Sequence, residues 1–211
     1  LNADGTSNPD SRRPFIMKPG GRARIFGHGR ADGPFPEHYE PLECPVAVNL
    51  LSGRLSNPTV RRYHTDQDVY RTCDARYPFV ATTYRVSEHW QTGVMTRWVP
   101  WLLEAQPRMF VEISPDLAEL RGVANGETVR VASIRGQLDC VAIVTPRLLP
   151  FVIQGHVVHQ VGMPWHFGWV HPKNGDDSAN LLTPSAGDPN TRIPETKAFM
   201  VNIEKRQEKS P

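Results

Sequence analysis

The sequence is poor in the residues that build metal clusters. Its three cysteines, Cys44, Cys73 and Cys140, lie far apart in 211 residues. No CxxC pair and no tight Cys/His cluster occurs, so the chain encodes neither an iron–sulfur centre nor a structural zinc site. Any such cluster belongs on a partner chain. No apolar run approaches the roughly 18 residues of a membrane span. P-loop, GxGxxG, GxSxG and HExxH patterns are all missing, which argues against ordinary nucleotide folds, a serine-hydrolase elbow and a helical zinc protease. The net charge of +2 is too small to argue for nucleic acid or a membrane surface. Leu1 opens a polar stretch that does not read as a signal peptide. Catalysis carried by this chain alone is not expected.

Proline and glycine, by contrast, are concentrated. Residues 1–60 hold eight Pro and seven Gly, a density that prohibits long helices and interrupts strands. Short apolar pieces remain there: Phe15-Ile16-Met17, Arg24-Ile25-Phe26 and Val46-Ala47-Val48. They are too brief to make a core together, so residues 1–76 read as an extended segment that lies across a larger body. From Tyr77 the pattern changes. Residues 77–84 are aromatic and β-branched, as a buried strand requires. Residues 97–106 predict a helix with Pro100 in its first turn. A strand over 109–113 follows. Ser114-Pro115-Asp116 then supplies an N-cap, an N1 proline and a first-turn acid, and Gly122 stops that helix. Asn125-Gly126 and Arg135-Gly136 are turns around strands 127–133 and 138–145, a hairpin with one buried face. Residues 155–172 mix Trp and His with Gly162, Pro164 and Gly168, too irregular for an ordinary strand. A last strand spans 198–203, and 206–211 read as a frayed tail. The fold class is mainly β with short helices, a compact barrel rather than βαβ units.

Two groups of residues could carry chemistry. His156, His159, His166 and His171 fall within sixteen residues, but no two share a helix face and few carboxylates are near. Histidines lining a ligand pocket are the better reading than a metal site. The second group follows the 77–84 strand. Thr82, Thr83, Arg85, Glu88, His89 and Gln91 offer hydroxyl, guanidinium, carboxylate, imidazole and amide groups within ten residues. A ligand with phosphates and a purine-like edge needs that mixture. Residue types alone also fit a solvated loop.

Thr82-Thr83-Tyr84-Arg85-Val86-Ser87-Glu88-His89 resembles the segment that opens the last domain of formate dehydrogenase large subunits, in the molybdopterin oxidoreductase family. The similarity continues through Phe110-Val111-Glu112-Ile113, Ala124-Asn125-Gly126 and Val131-Ala132-Ser133-Ile134-Arg135-Gly136. Val158-His159-Gln160-Val161-Gly162-Met163-Pro164-Trp165-His166-Phe167-Gly168 and Asn180-Leu181-Leu182-Thr183-Pro184 extend it. Upstream, Asp32-Gly33-Pro34-Phe35-Pro36-Glu37-His38-Tyr39-Glu40-Pro41 also matches. The resemblance implies a six-stranded double-psi β-barrel over 77–205, preceded by the Pro/Gly-rich wrapping segment 1–76, which would pack on a partner chain. It implies a cap over bis-molybdopterin guanine dinucleotide carrying molybdenum or tungsten. Carried over residue by residue, Thr83, Arg85, Glu88, His89, Trp90 and Gln91 would contact the dinucleotide, and His159, Gln160, Asn180 and Lys197 the pterin or its phosphates.

The cluster cysteines and catalytic residues of such large subunits are not in this sequence, so no catalytic or metal-ligating residue is assigned. The resemblance implies partners: a catalytic large-subunit chain with an iron–sulfur cluster and a Cys or selenocysteine ligand, an iron–sulfur electron-transfer subunit, and a membrane cytochrome subunit. It implies the periplasm, with membrane attachment through those partners; the cytoplasm is the alternative. Two other functions stand beside it: the same cap in a nitrate reductase-like enzyme, and a non-catalytic barrel used for assembly.

Overall fold

The computed structural model describes residues 2, 4–6, 27, 29–35, 37–168 and 178–206. Phe15-Ile16-Met17, Arg24-Ile25-Phe26, His28, Pro36, His171 and the tail beyond Arg206 lie outside the described residues. Two compact units divide the chain, Leu1–Glu37 and His38–Pro211. In the first, Gly27 and Gly33 close short turns through Pro34 O and Arg30 O, at 2.8 and 3.2 Å.

The second unit is built on a closed barrel. Its strands are β2 (Phe79–Tyr84), β3 (Phe110–Ile113), β4 (Thr128–Ala132), β5 (Gln137–Val144), β8 (Gln160–Pro164) and β10 (Phe199–Lys205). The order around the barrel is β10-β2-β8-β3-β5-β4. Two neighbour pairs, β2 with β8 and β3 with β5, run parallel; the others are antiparallel. Alternation decides which face turns inward. In β2, Phe79, Ala81 and Thr83 are buried while their neighbours are half-buried. Val129 and Val131 of β4 and Leu138, Cys140 and Ala142 of β5 do the same, as expected for a hairpin with one buried face.

The helix signals are realised with small shifts. Helix α2 (Pro115–Arg121) is capped by Ser114, whose side chain accepts from the Leu117 N–H at 3.2 Å, and Gly122 ends it at φ 61°. Such a cap is worth about 1 kcal/mol. Helix α1 (Pro100–Ala105) is shorter than the 97–106 expectation, because Thr96–Trp98 form a 3-10 turn before Pro100.

The reading of 155–172 is corrected. Gly155 belongs to the turn of a hairpin, β6 (Phe151–Ile153) with β7 (His156–Val158), and β8 is a central barrel strand. Val161, Gly162, Met163 and Pro164 are all buried, so β8 shows no two-residue alternation. Gly162 is required there: a Cβ would stand 2.6 Å from Cε1 of the Tyr84 ring.

Residues 38–76 share a compact unit with the barrel. Strand β1 (Arg61–Arg62) pairs with β9 (Ala186–Gly187), and Tyr63 N–H and Tyr70 Oη both donate to Ser185 O at 2.9 Å. The strongest tie is buried. Arg135, in the β4–β5 turn, donates to both oxygens of Glu43 at 2.5 and 2.7 Å, with both side chains almost fully buried. The same guanidinium donates to Leu182 O and Val69 O, and Glu43 also accepts from the Met200 N–H. Residues 38–76 thus belong to the same compact unit as the barrel. Apolar pieces too short for a core of their own, such as Leu42 and Val46, are buried within the barrel's unit instead.

Candidate functional site

Because β2 and β8 run parallel, their carboxyl ends meet, with Tyr84 opposite Pro164. The chain leaving β2 (85–91) and the chain leaving β8 (165–168) are locked together there. Val86 N–H donates to His166 Nε2 at 2.8 Å, and Trp165 N–H donates to Tyr84 O at 3.3 Å. The Arg85 guanidinium lies over the Trp165 ring, 4.9 Å from its centre. A third segment joins on the approach to β10. Thr83 Oγ1 donates to Thr196 O at 2.8 Å, and Lys197 Nζ donates back to Thr83 O.

These contacts divide the sequence-assigned residues. Arg85, Trp90, Gln91, Asn180 and Lys197 are exposed and Glu88 is half-buried. Thr83 and His89 turn inward, 3% exposed each. His89 Nε2 lies 2.8 Å from Gln106 O, so it donates; Nδ1 then accepts from Thr96 Oγ1 at 3.2 Å, and that hydroxyl accepts from Trp90 N–H at 3.0 Å. Both ring nitrogens are used, and the imidazole braces the 89–96 loop. Asn180 sits in a 3-10 turn, Ala179–Leu181, that begins against the other loop: a Cβ on Gly168 would meet Ser178 Cβ at 2.5 Å.

His159 and Gln160 are not brought to this end. Gln160 begins β8, four residues and roughly 13 Å back along the strand, where it pairs with Val80, and His159 comes just before it. Gln160 Nε2 donates to Leu149 O at 2.6 Å. The His159 ring stands edge-on to Phe79 at 5.9 Å, and its buried Nδ1 has no hydrogen-bond partner among the described residues.

One site residue escaped the sequence. Arg97 was placed on a helix, where an arginine ordinarily faces water. Instead it is 2% exposed, and it donates from Nη1 to Gly168 O at 2.7 Å and from Nε to Gly93 O at 3.3 Å. The arginine welds the two loops from inside. Gly93 makes room for it: at φ +75° its Cβ would stand 2.7 Å from His166 O. Gly93→Ala should therefore cost about 1–2 kcal/mol from the left-handed backbone alone, with the clash in addition, read as a lowered urea midpoint. An unchanged midpoint would mean that the loop relaxes freely.

His166 gives this end a pH response. Burial holds its pKa below the ordinary 6.5; the nearby His89, Arg85 and Arg97 act the same way, against the Gln91 backbone. The neutral ring is the folded form, and it accepts from Val86. The unfolded chain thus takes up a proton that the folded chain refuses, so stability is full above 6.5 and is lost as pH falls from there towards the folded value. Between about pH 7.5 and about 5.5, the melting temperature of the native chain should fall further than that of His166→Gln, which keeps an acceptor without titrating. Equal falls would contradict the assignment.

The sequence that builds this barrel matches the molydopterin dinucleotide binding domain over residues 79–200. The chain belongs to that family. The match takes in both loops of the site and the approach to β10. Among whole proteins, the formate dehydrogenase subunit alpha of Megalodesulfovibrio gigas is 60% identical over 194 residues, covering 92% of this chain and 19% of that protein. The formate dehydrogenase 2 subunit alpha (cytochrome c-553) of Nitratidesulfovibrio vulgaris is 50% identical over 193 residues, covering 91% and 19%. The chain thus spans about a fifth of the length of these curated relatives. Among solved structures, acetylene hydratase from Pelobacter acetylenicus superposes with a TM-score of 0.50 at 14% identity, over 62% of this chain and 18% of that one, a likeness of fold.

Proposed function

We propose that this domain is the cofactor-holding cap of a molybdenum- or tungsten-dependent formate dehydrogenase, closing over bis-molybdopterin guanine dinucleotide. One observation carries the reading. The likeness to formate dehydrogenase alpha subunits runs through 92% of the chain, the segment before the barrel as well as the barrel.

The residues present suit such a group. Arg85, over the Trp165 ring, and Lys197, bonded to Thr83 O, present exposed cations at this end of the barrel, and phosphates need cations held in place. Gln91, Glu88 and Asn180 add amide and carboxylate partners for a purine-like edge. His159 Nδ1, buried without a hydrogen-bond partner among the described residues, suits a hydrogen bond to the pterin. Thr83, His89 and Arg97 do not reach out; they fix the loops that do. When bound, the cofactor's metal supplies the two-electron chemistry, and this chain positions the group and shields it from water.

A catalytic large-subunit chain or segment would carry the Cys or selenocysteine ligand and an iron–sulfur cluster, with an electron-transfer subunit beside it. The name of the Nitratidesulfovibrio relative supports a cytochrome as electron partner. We place the assembly in the periplasm. The chain purified with its companions should contain molybdenum or tungsten and reduce a dye with formate. Active complex lacking both metals, or a complex that uses nitrate and not formate, would overturn the reading.

A further inference from the structure

Arg85 is held differently from other arginines of the barrel. Arg130, Arg135 and Arg147 each meet a carboxylate, at 2.8, 2.5 and 2.6 Å. Such a partner fixes a guanidinium, but it occupies N–H donors and offsets the charge. Arg85 has neither a carboxylate nor a hydrogen-bond acceptor among the described residues; its guanidinium rests on the Trp165 ring, 4.9 Å from the ring centre. An aromatic face attracts the cation through its quadrupole and leaves both charge and donors open to a ligand. The two ends of this contact are anchored. On one side of Arg85, Tyr84 O accepts from Trp165 N–H at 3.3 Å; on the other, Val86 N–H donates to His166 Nε2 at 2.8 Å. The Trp165 side chain packs against the barrel core, while Arg85 is exposed. A fixed platform under an exposed guanidinium removes beforehand part of the rotamer freedom that the arginine loses when it meets a ligand.

We propose that Trp165 is a positioning residue for oxyanion binding, one that presents the Arg85 guanidinium, with its charge and donors intact, to the phosphates of a dinucleotide. The proposal rests on the cofactor reading above and adds to it how the cation is made ready. A planar guanidinium can meet two phosphate oxygens at once, which an ammonium cannot. The indole supplies orientation without competing for those donors. A carboxylate in its place would hold the arginine as well and quench it.

The test uses the full chain with any companions that copurify, from a host that makes no molybdopterin, and titrates it with inorganic pyrophosphate in a calorimeter below the melting temperature of every variant. Trp165→Leu should weaken binding about three- to tenfold. Trp165→Phe, which keeps an aromatic face, should stay near the native affinity, and Arg85→Lys, which keeps the charge without the planar fork, should fall. The double variant Arg85→Ala/Trp165→Leu should bind no worse than Arg85→Ala, because the indole acts only through the arginine. A structural role alone would weaken binding equally in both backgrounds, and that result would overturn the proposal, as would native affinity in Trp165→Leu or a native chain that binds no pyrophosphate. The same four chains, loaded and dialysed, separate this from the cofactor reading. The expected pyrophosphate pattern with unchanged metal in all four would uphold the positioning role and sink that reading. Metal lost from Arg85→Ala, beside equal pyrophosphate losses in both backgrounds, would do the reverse.

Discussion

Arg135→Ala should lower the melting temperature by roughly 10 °C. The guanidinium is wholly buried, and it gives two hydrogen bonds to the Glu43 carboxylate, others to Leu182 O, and one to Val69 O. Breaking a buried pair by removing one partner costs about 3–5 kcal/mol, because a charge is left in the interior without compensation. Here Glu43 would keep, among the described residues, the Met200 N–H alone. Glu43→Gln should fall nearly as far, for the opposite reason, leaving a buried cation. The double variant Glu43→Leu/Arg135→Met separates the effects. It removes both charges, so it should recover part of the loss, but not all, since the Leu182 and Val69 carbonyls lose their donor. A single variant that melts within about a degree of the native chain would show the pair to be water-accessible and weak.

The second large effect concerns the cofactor. Arg85→Ala should leave the barrel folded, since the side chain's contact among the described residues is with the Trp165 ring. It should nonetheless weaken retention of the proposed dinucleotide by roughly 10–100-fold, the worth of one charge-assisted hydrogen bond. The readout is molybdenum or tungsten per complex after dialysis, against an unchanged melting temperature for the chain. Lys197→Ala should lose metal too, but with some stability, because its ammonium also holds the Thr83 carbonyl. Native metal content in both variants would remove these cations from the binding role.

How legible this was depended on the range of the forces involved. Ser114 and Gly122, and the Asn125-Gly126 turn, act within one helical turn or one hairpin, so residues 110–144 could be read directly. β8 could not. A strand buried on both faces loses its alternation, and Gly162 looks like a breaker until Tyr84 is known to lie against it. Arg97 hid for a similar reason: one of its carbonyl partners is 71 residues away. At the site, the exposed cations stood out by type. The inward turn of Thr83 and His89 depended on Thr196 and Gln106, and a residue's neighbours across the barrel are not written beside it.

The barrel's closure also sets an order of events during synthesis. β10 is the last barrel strand made, and it inserts between β2 and β4. Until it emerges from the ribosome, both neighbours present bare strand edges, the template on which nascent chains pair wrongly. The register must therefore wait while more than a hundred residues separate β2 from its partner. A message cut short before Phe199 would yield a product bound for chaperones and proteolysis, however well its earlier hairpin had formed.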